Sequence, residues 1–261
     1  MKKQYYYAIP KEIVYSDPTY TEYDLLTYIT ILRCRLLHDN HIAHTSIFNI
    51  CELSNYSTLD RREESYYSSI KWSLKLFRDN DMIKINGIKE VDELRPRAFI
   101  KIQLTDKFVP SSNFIQLTDE ELNVIIGCKE YKATAALLKV YLYIKSLMFI
   151  DYNNPNSSIS AYYVTEDIAC QVLFMSKQKY DICVNTLCAL DLLICHQTGS
   201  YYDFNGIKNA PNIYVLNNDN VASNIRGALN RLKHDLLKPE FGNKDDFMPI
   251  VYTGKKIRKA E

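Results

Sequence analysis

Four consecutive polar residues, Ser176-Lys177-Gln178-Lys179, open an apolar-periodic run that reaches about residue 193, with Asn185 two turns further along. Their types suit one kind of chemistry. Glutamine and asparagine can pair bidentately with adenine, and lysine reaches guanine or a backbone phosphate. A serine at the N-cap leaves the positive end of the helix and its free amides open to an anion. Tyr180, Cys183, Val184, Leu187 and Leu190 recur at steps of three and four, which makes them the inward face. Lys177, Gln178, Lys179, Asp181, Asn185 and Thr186 then turn outward. The same pattern also describes a solvated helix face with no ligand. What favours recognition is the preceding "TEDIACQVL", a short helix that Thr165 would cap. A short helix, a turn and a longer helix form the layout in which the second helix meets a major groove.

Other polar clusters are candidates for the same work. Arg61, Arg62, Lys71, Lys75 and Arg78 line the outer side of "ESYYSSIKWSLKLFRDNDMI" and the residues just before it. Glu63 and Glu64 offset the two arginines, so an intrahelical salt-bridge face is the alternative. A further reading has this segment dimerise through Trp72, Tyr66 and Tyr67, since aromatics are enriched at interfaces, against the commoner case of a tryptophan buried in the unit's own core. In "SYYDFNGIKNAP", Tyr201, Tyr202, Lys208 and Asn209 suit phosphate or minor-groove contact. Lys255, Lys256, Arg258 and Lys259 at the C-terminus form either a nonspecific DNA arm or a solubilising end.

Signals for catalysis are sparse. The chain has seven glycines and no glycine-rich phosphate loop. His38, His41 and His44 fall in what reads as an interhelical loop, without a carboxylate or thiolate to complete a metal set. Cys183 and Cys188 are five apart and point to different sides of a helix. Cys195-His196 is a lone dipeptide, which does not make a nucleophile. The sequence argues against an enzyme and calls for no cofactor and no metal.

Composition sets the frame. In 261 residues, 47% are hydrophobic and 24% charged, as in an ordinary globular protein of one large domain or two small ones. No apolar run approaches the roughly 18 to 20 residues of a membrane span, so no membrane partner is expected. The opening "MKKQYYYAIPKE" lacks the apolar stretch of a secretory signal. Seven cysteines without a CxxC pair fit reduced, buried thiols and a cytoplasmic protein. The formal net charge is only +1. From Arg226 onward nine Lys/Arg stand against five Asp/Glu, a local +4, so affinity for nucleic acid must come from local patches.

Two stretches share one order of elements. In the first, Leu25, Leu26, Ile29, Leu32, Leu36 and Leu37 mark a helix, "HDNHIAHT" a loop, and "SIFNICELS" a short helix capped by Thr45 or Ser46. A longer helix follows with Tyr67, Ile70, Leu74 and Phe77 on one face, then strands "MIKIN" and "AFIKIQL". In the second, "KATAALLKVYLYIKSLMFI" is a helix, then come the two helices already described, and "LICHQTG" and "NIYVLNN" are strands. Helix, short helix, longer helix, strand, wing, strand is the winged-helix plan, here occurring twice. The expected fold class is mainly α with small β wings: two tandem winged-helix domains plus a C-terminal helix and tail. The domains would be 1–110, 111–220 and 221–261, with Pro and two serines interrupting the pattern near Val109–Asn113.

The order "KATAALLKVYLYIKSLMF … SKQKYDICVNTLCALDLLICHQTG … NAPNIYVLNN" resembles the winged-helix unit of plasmid and phage replication-initiation proteins and replisome organisers. Ser176 matches the start of their recognition helix, while Lys179 and Tyr180 stand where Thr-Val is usual. Leu192-Leu193-Ile194 replaces a Gly-Leu-Ile turn, and Asn212-Ile213-Tyr214-Val215-Leu216 fits the closing strand. The resemblance covers residues 114 to 218. It implies binding to double-stranded DNA, a homodimer, and contact with replication proteins. A transcriptional regulator, with transcription proteins as partners, or a protein-docking adaptor would share these motifs.

Overall fold

A computed structural model describes residues 6–15, 20–36, 38–54, 63–88, 90–128, 134–148, 159–203, 206–217 and 220–236. The chain divides into two compact units, Met1–Leu142 and Tyr143–Glu261.

In the first unit, strand β1 (Tyr6–Pro10) leads into the short helix α1 (Lys11–Val14) and then helix α2 (Glu22–Arg33). Thr21 starts α2 with a reciprocal cap: its hydroxyl receives the Asp24 amide, and the Asp24 carboxylate receives the Thr21 amide at 2.7 Å. The helix stops at Arg33, short of the leucines at 36 and 37, because the chain turns at Cys34 into β2 (Arg35–Leu36) and β3 (Asp39–Thr45). Helices α3 (Ile47–Leu53) and α4 (Glu63–Asp79) follow, then β4 (Ile83–Ile85), a 3-10 turn at Val91–Glu93, and β5 (Ile100–Leu104). Strand β6 (Phe114–Thr118) returns to pair antiparallel with β1, and α5 (Asp119–Ile126) and the start of α6 (Thr134–Ser146) complete the unit. A four-stranded antiparallel sheet runs in the order β2-β3-β5-β4. Ser46, one of the two expected caps, opens α3 by receiving the Asn49 amide at 3.0 Å.

The core of this unit is an aromatic cluster. Tyr28, Phe77 and Phe108 are fully buried, with Tyr28 and Phe108 ring centres 4.3 Å apart and Phe77 edge-on to both. The Tyr28 hydroxyl donates to the Phe108 carbonyl, which satisfies its polar end.

In the second unit, β7 (Ala161–Val164) precedes helices α7 (Glu166–Leu173) and α8 (Lys177–Ala189). Strands β8 (Leu193–His196), β9 (Ser200–Asp203), β10 (Gly206–Asn209) and β11 (Asn212–Leu216) come next, and α9 (Val221–Leu236) ends the described chain. Here β11 is the middle strand of a sheet ordered β7-β11-β8, while β9 and β10 form a separate two-stranded ribbon. Ile213, Val215, Ala161 and Ala228 pack together, so α9 belongs to this core, and Arg231 donates to the Ala161 carbonyl at 2.7 Å.

The expectation of a mainly α chain with two tandem winged helices does not hold. Strands recur throughout both units, in four antiparallel sheets among the described residues, and the class is mixed α and β. The two units also have different sheets. The physical reason lies in short segments whose alternation is weak. In "HDNHIAHT", Asp39–Thr45 is strand β3 and not a loop, with Ala43 and Thr45 buried and His44 between them exposed. "YYAIP" and "AYYV" are tyrosine-rich strands of four or five residues whose partners lie far along the chain. Among the described residues no helix is long and apolar enough to cross a membrane.

Candidate nucleic-acid interface

Helix α8 is presented by the elements before it. Thr165 caps α7 by accepting the Ile168 amide at 3.3 Å. Phe174 then takes a left-handed conformation (φ 51°), and the Met175 amide bonds back to the Cys170 carbonyl at 3.1 Å, closing the helix. Ser176 accepts the Lys179 amide at 3.3 Å and starts α8, a cap contributing about 1 kcal/mol. Three residues thus separate the two helices.

Tyr180, Cys183, Val184 and Leu187 are buried, as the spacing required, with the Tyr180 ring edge-on to Tyr214 of β11 at 6.5 Å. Burial pushes the Tyr180 phenol far above its ordinary value, so it stays neutral. Leu190 lies just past the last turn and is half-buried. Lys177, Gln178, Asp181 and Asn185 are exposed, whereas Lys179 is half-buried, as is Thr186, whose hydroxyl bonds the Ile182 carbonyl at 2.8 Å. Ile182, 40% exposed, was not among the residues singled out by pattern. It stands one turn beyond Gln178 and one turn before Asn185, so amide, aliphatic and amide side chains make one stripe. An isoleucine outside the inward series of α8 is the signal that would have found it.

The charge around this stripe is mixed. The Lys177 ammonium sits 2.8 Å from Glu166 and 4.0 Å from Asp167, both in the first turn of α7. That pairing raises the lysine above its ordinary value. Glu166 is also shifted upward, because its burial and the neighbouring Asp181 outweigh the attraction of Lys177. The helix start therefore carries its cation partly neutralised by the preceding helix.

The remaining candidates are scattered. Lys71 donates to the Asp92 carbonyl at 2.7 Å and so braces the 3-10 turn of the first unit. Lys75 is half-buried on α4, and Trp72 on that helix is 64% exposed, not buried in the core of its unit. Arg61, Arg62 and the basic residues 255–259 lie outside the described residues. Lys208 and Asn209 lie on the β10 strand of the ribbon, with Asn209 exposed. Among the described candidates, the α8 group from Ser176 to Asn185 is brought together on one surface.

No protein-family model, curated protein or solved structure matches this chain.

Proposed function

We propose that the chain is a cytoplasmic, sequence-specific binder of double-stranded DNA that reads bases with α8. The observation that carries this is the exposed stripe Gln178–Ile182–Asn185, set just beyond a serine cap and flanked by Lys177. Two amides can each form paired hydrogen bonds with adenine, and an aliphatic side chain between them suits a thymine methyl. The lysines and the positive N-terminal end of α8 would hold phosphates and fix the register. Random-sequence duplex selection followed by titration tests it. With about five phosphates neutralised, affinity for the selected site falls at least a hundredfold between 50 and 200 mM salt. A chain that enriches no sequence, or whose binding ignores salt, is not this protein.

The process served is read from the fragments recovered from cells: repeated origin sites for replication initiation on a plasmid or phage, promoter operators for transcriptional control. A second reading, docking of another protein, draws on Phe174 and Ile168, which are 73% and 52% exposed beside the same turn. It predicts binding that is insensitive to salt and lost on removing Phe174.

Glu166 sets a limit on DNA affinity. A phosphate approaching the start of α8 must displace a carboxylate from Lys177. Glu166→Gln is expected to strengthen duplex binding severalfold, as a paired surface charge is exchanged for a free one. Acidification works in the same direction. Because burial and the neighbouring Asp181 shift Glu166 upward, acidification neutralises it before an ordinary glutamate and strengthens binding by the wild type more than by the glutamine variant. Parallel DNA titrations of the two proteins over a descending pH series check both statements.

A further inference from the structure

We propose that the outer face of the β2-β3-β5-β4 sheet in the first unit binds single-stranded nucleic acid, independently of the duplex reading of α8. Along β5, Ile100, Ile102 and Leu104 are buried, which turns Lys101 and Gln103 outward, and Phe99 just before the strand is 77% exposed. Cross-strand partners share a face. His44 of β3 is paired with Lys101, and Lys84 of β4 is paired with Gln103. His44 meets Phe99 edge to face, 6.4 Å between ring centres. The segment feeding β5 is mixed in charge, with exposed Arg95 and Arg97 against exposed Glu90, Asp92 and Glu93, so the cations of this face are those of the strands themselves.

Charge complementarity identifies the occupant. Two lysines, an amide, an imidazole and an aromatic ring share one sheet face. Among the described residues of the four strands, Asp39 is the only carboxylate, and it receives the His41 amide at 2.9 Å. An unstacked base can lie on an exposed ring while cations beside it take the phosphates, which is how strand-tracking platforms hold one chain without reading its sequence. A duplex keeps its base faces stacked inside and has nothing to place on Phe99. A protein partner would need acidic side chains against the cations and would leave the aromatic face unused for stacking.

The test uses the full chain and two labelled 15-mers, oligo(dT) and oligo(U), followed by fluorescence anisotropy at 50 mM salt. Wild type is expected to bind at least one, and the comparison of the two says whether DNA or RNA is preferred. Phe99→Ala weakens binding roughly tenfold, and Phe99→Tyr, which keeps the ring, restores it. Lys84→Ala with Lys101→Ala lowers the slope of log affinity against log salt by about 1.4, as two cations fewer meet phosphate. These side chains are exposed, so unchanged far-UV circular dichroism is expected of every variant. No binding of either oligomer, or equal binding by wild type and Phe99→Ala, overturns the proposal. Oligomer binding lost on alanine replacement in α8 but kept in Phe99→Ala does so as well. Failure to bind any duplex leaves it standing.

Discussion

Replacing Lys177, Gln178 and Lys179 together with alanine is expected to abolish specific duplex binding, a loss of at least a hundredfold. Each well-placed bidentate contact discriminates by about 1–3 kcal/mol, and the phosphate contacts of two lysines are lost alongside it. The fold is expected to survive. Ser176 remains as the cap, the buried side of α8 from Tyr180 to Leu187 is untouched, and alanine is the best helix former. The lysine of the Lys177–Glu166 pair is exposed, and solvent screens the pairing, so its removal costs the fold little. Far-UV circular dichroism and a mobility shift on the selected site give the two readouts. Unaltered binding in a folded triple variant would remove α8 from the interface.

Phe77→Ala is expected to cost about 3–5 kcal/mol, the range for deleting a fully buried aromatic ring. Phe77 is at 0% exposure, with ring centres of Phe108 and Tyr28 at 5.7 and 6.1 Å and Tyr20 at 6.3 Å. Its loss leaves the Tyr28 ring without a neighbour on one side while the Tyr28 hydroxyl stays tied to the Phe108 carbonyl. That tether limits how far the cluster can collapse into the vacated space, which places the cost towards the upper end. Since small domains hold only about 5–15 kcal/mol in all, the variant should melt far below the wild type. Phe77→Leu, which keeps most of the volume, should lose much less. Urea titration of the two variants measures the difference; equal midpoints would mean that the ring cluster does not hold the unit together.

Local patterns exposed the helices and their caps. The spacing of Tyr180, Cys183, Val184 and Leu187 fixed the buried side of α8, and Thr165 and Ser176 cap where a side-chain oxygen before an apolar run should. Sheet content was harder. β1 finds its partner more than a hundred residues away, and β7 pairs with a strand some fifty residues on. Nothing within a five-residue window encodes such partners, and in "HDNHIAHT" three histidines and an asparagine hid the alternation. The face that gathers His44, Lys84, Phe99 and Lys101 is assembled wholly by that pairing. Residues separated by up to 57 positions become neighbours only once register is set, and scanning along the chain shows them as unrelated polar letters. Ile182 was missed for a different reason: it breaks the polar run on which the outward face of α8 was recognised.

The position of β11 has a consequence for synthesis. As the nascent chain emerges, β7 and β8 both appear before the strand that separates them, and neither pairs with the other in the finished sheet. Until residue 216 clears the ribosome, a tyrosine-rich edge on β7 and an aliphatic edge on β8 wait with open backbone groups, the condition under which strands recruit the wrong neighbour. Assembly of this sheet during synthesis therefore waits for β11, and α9 can seat only after that strand has gone in.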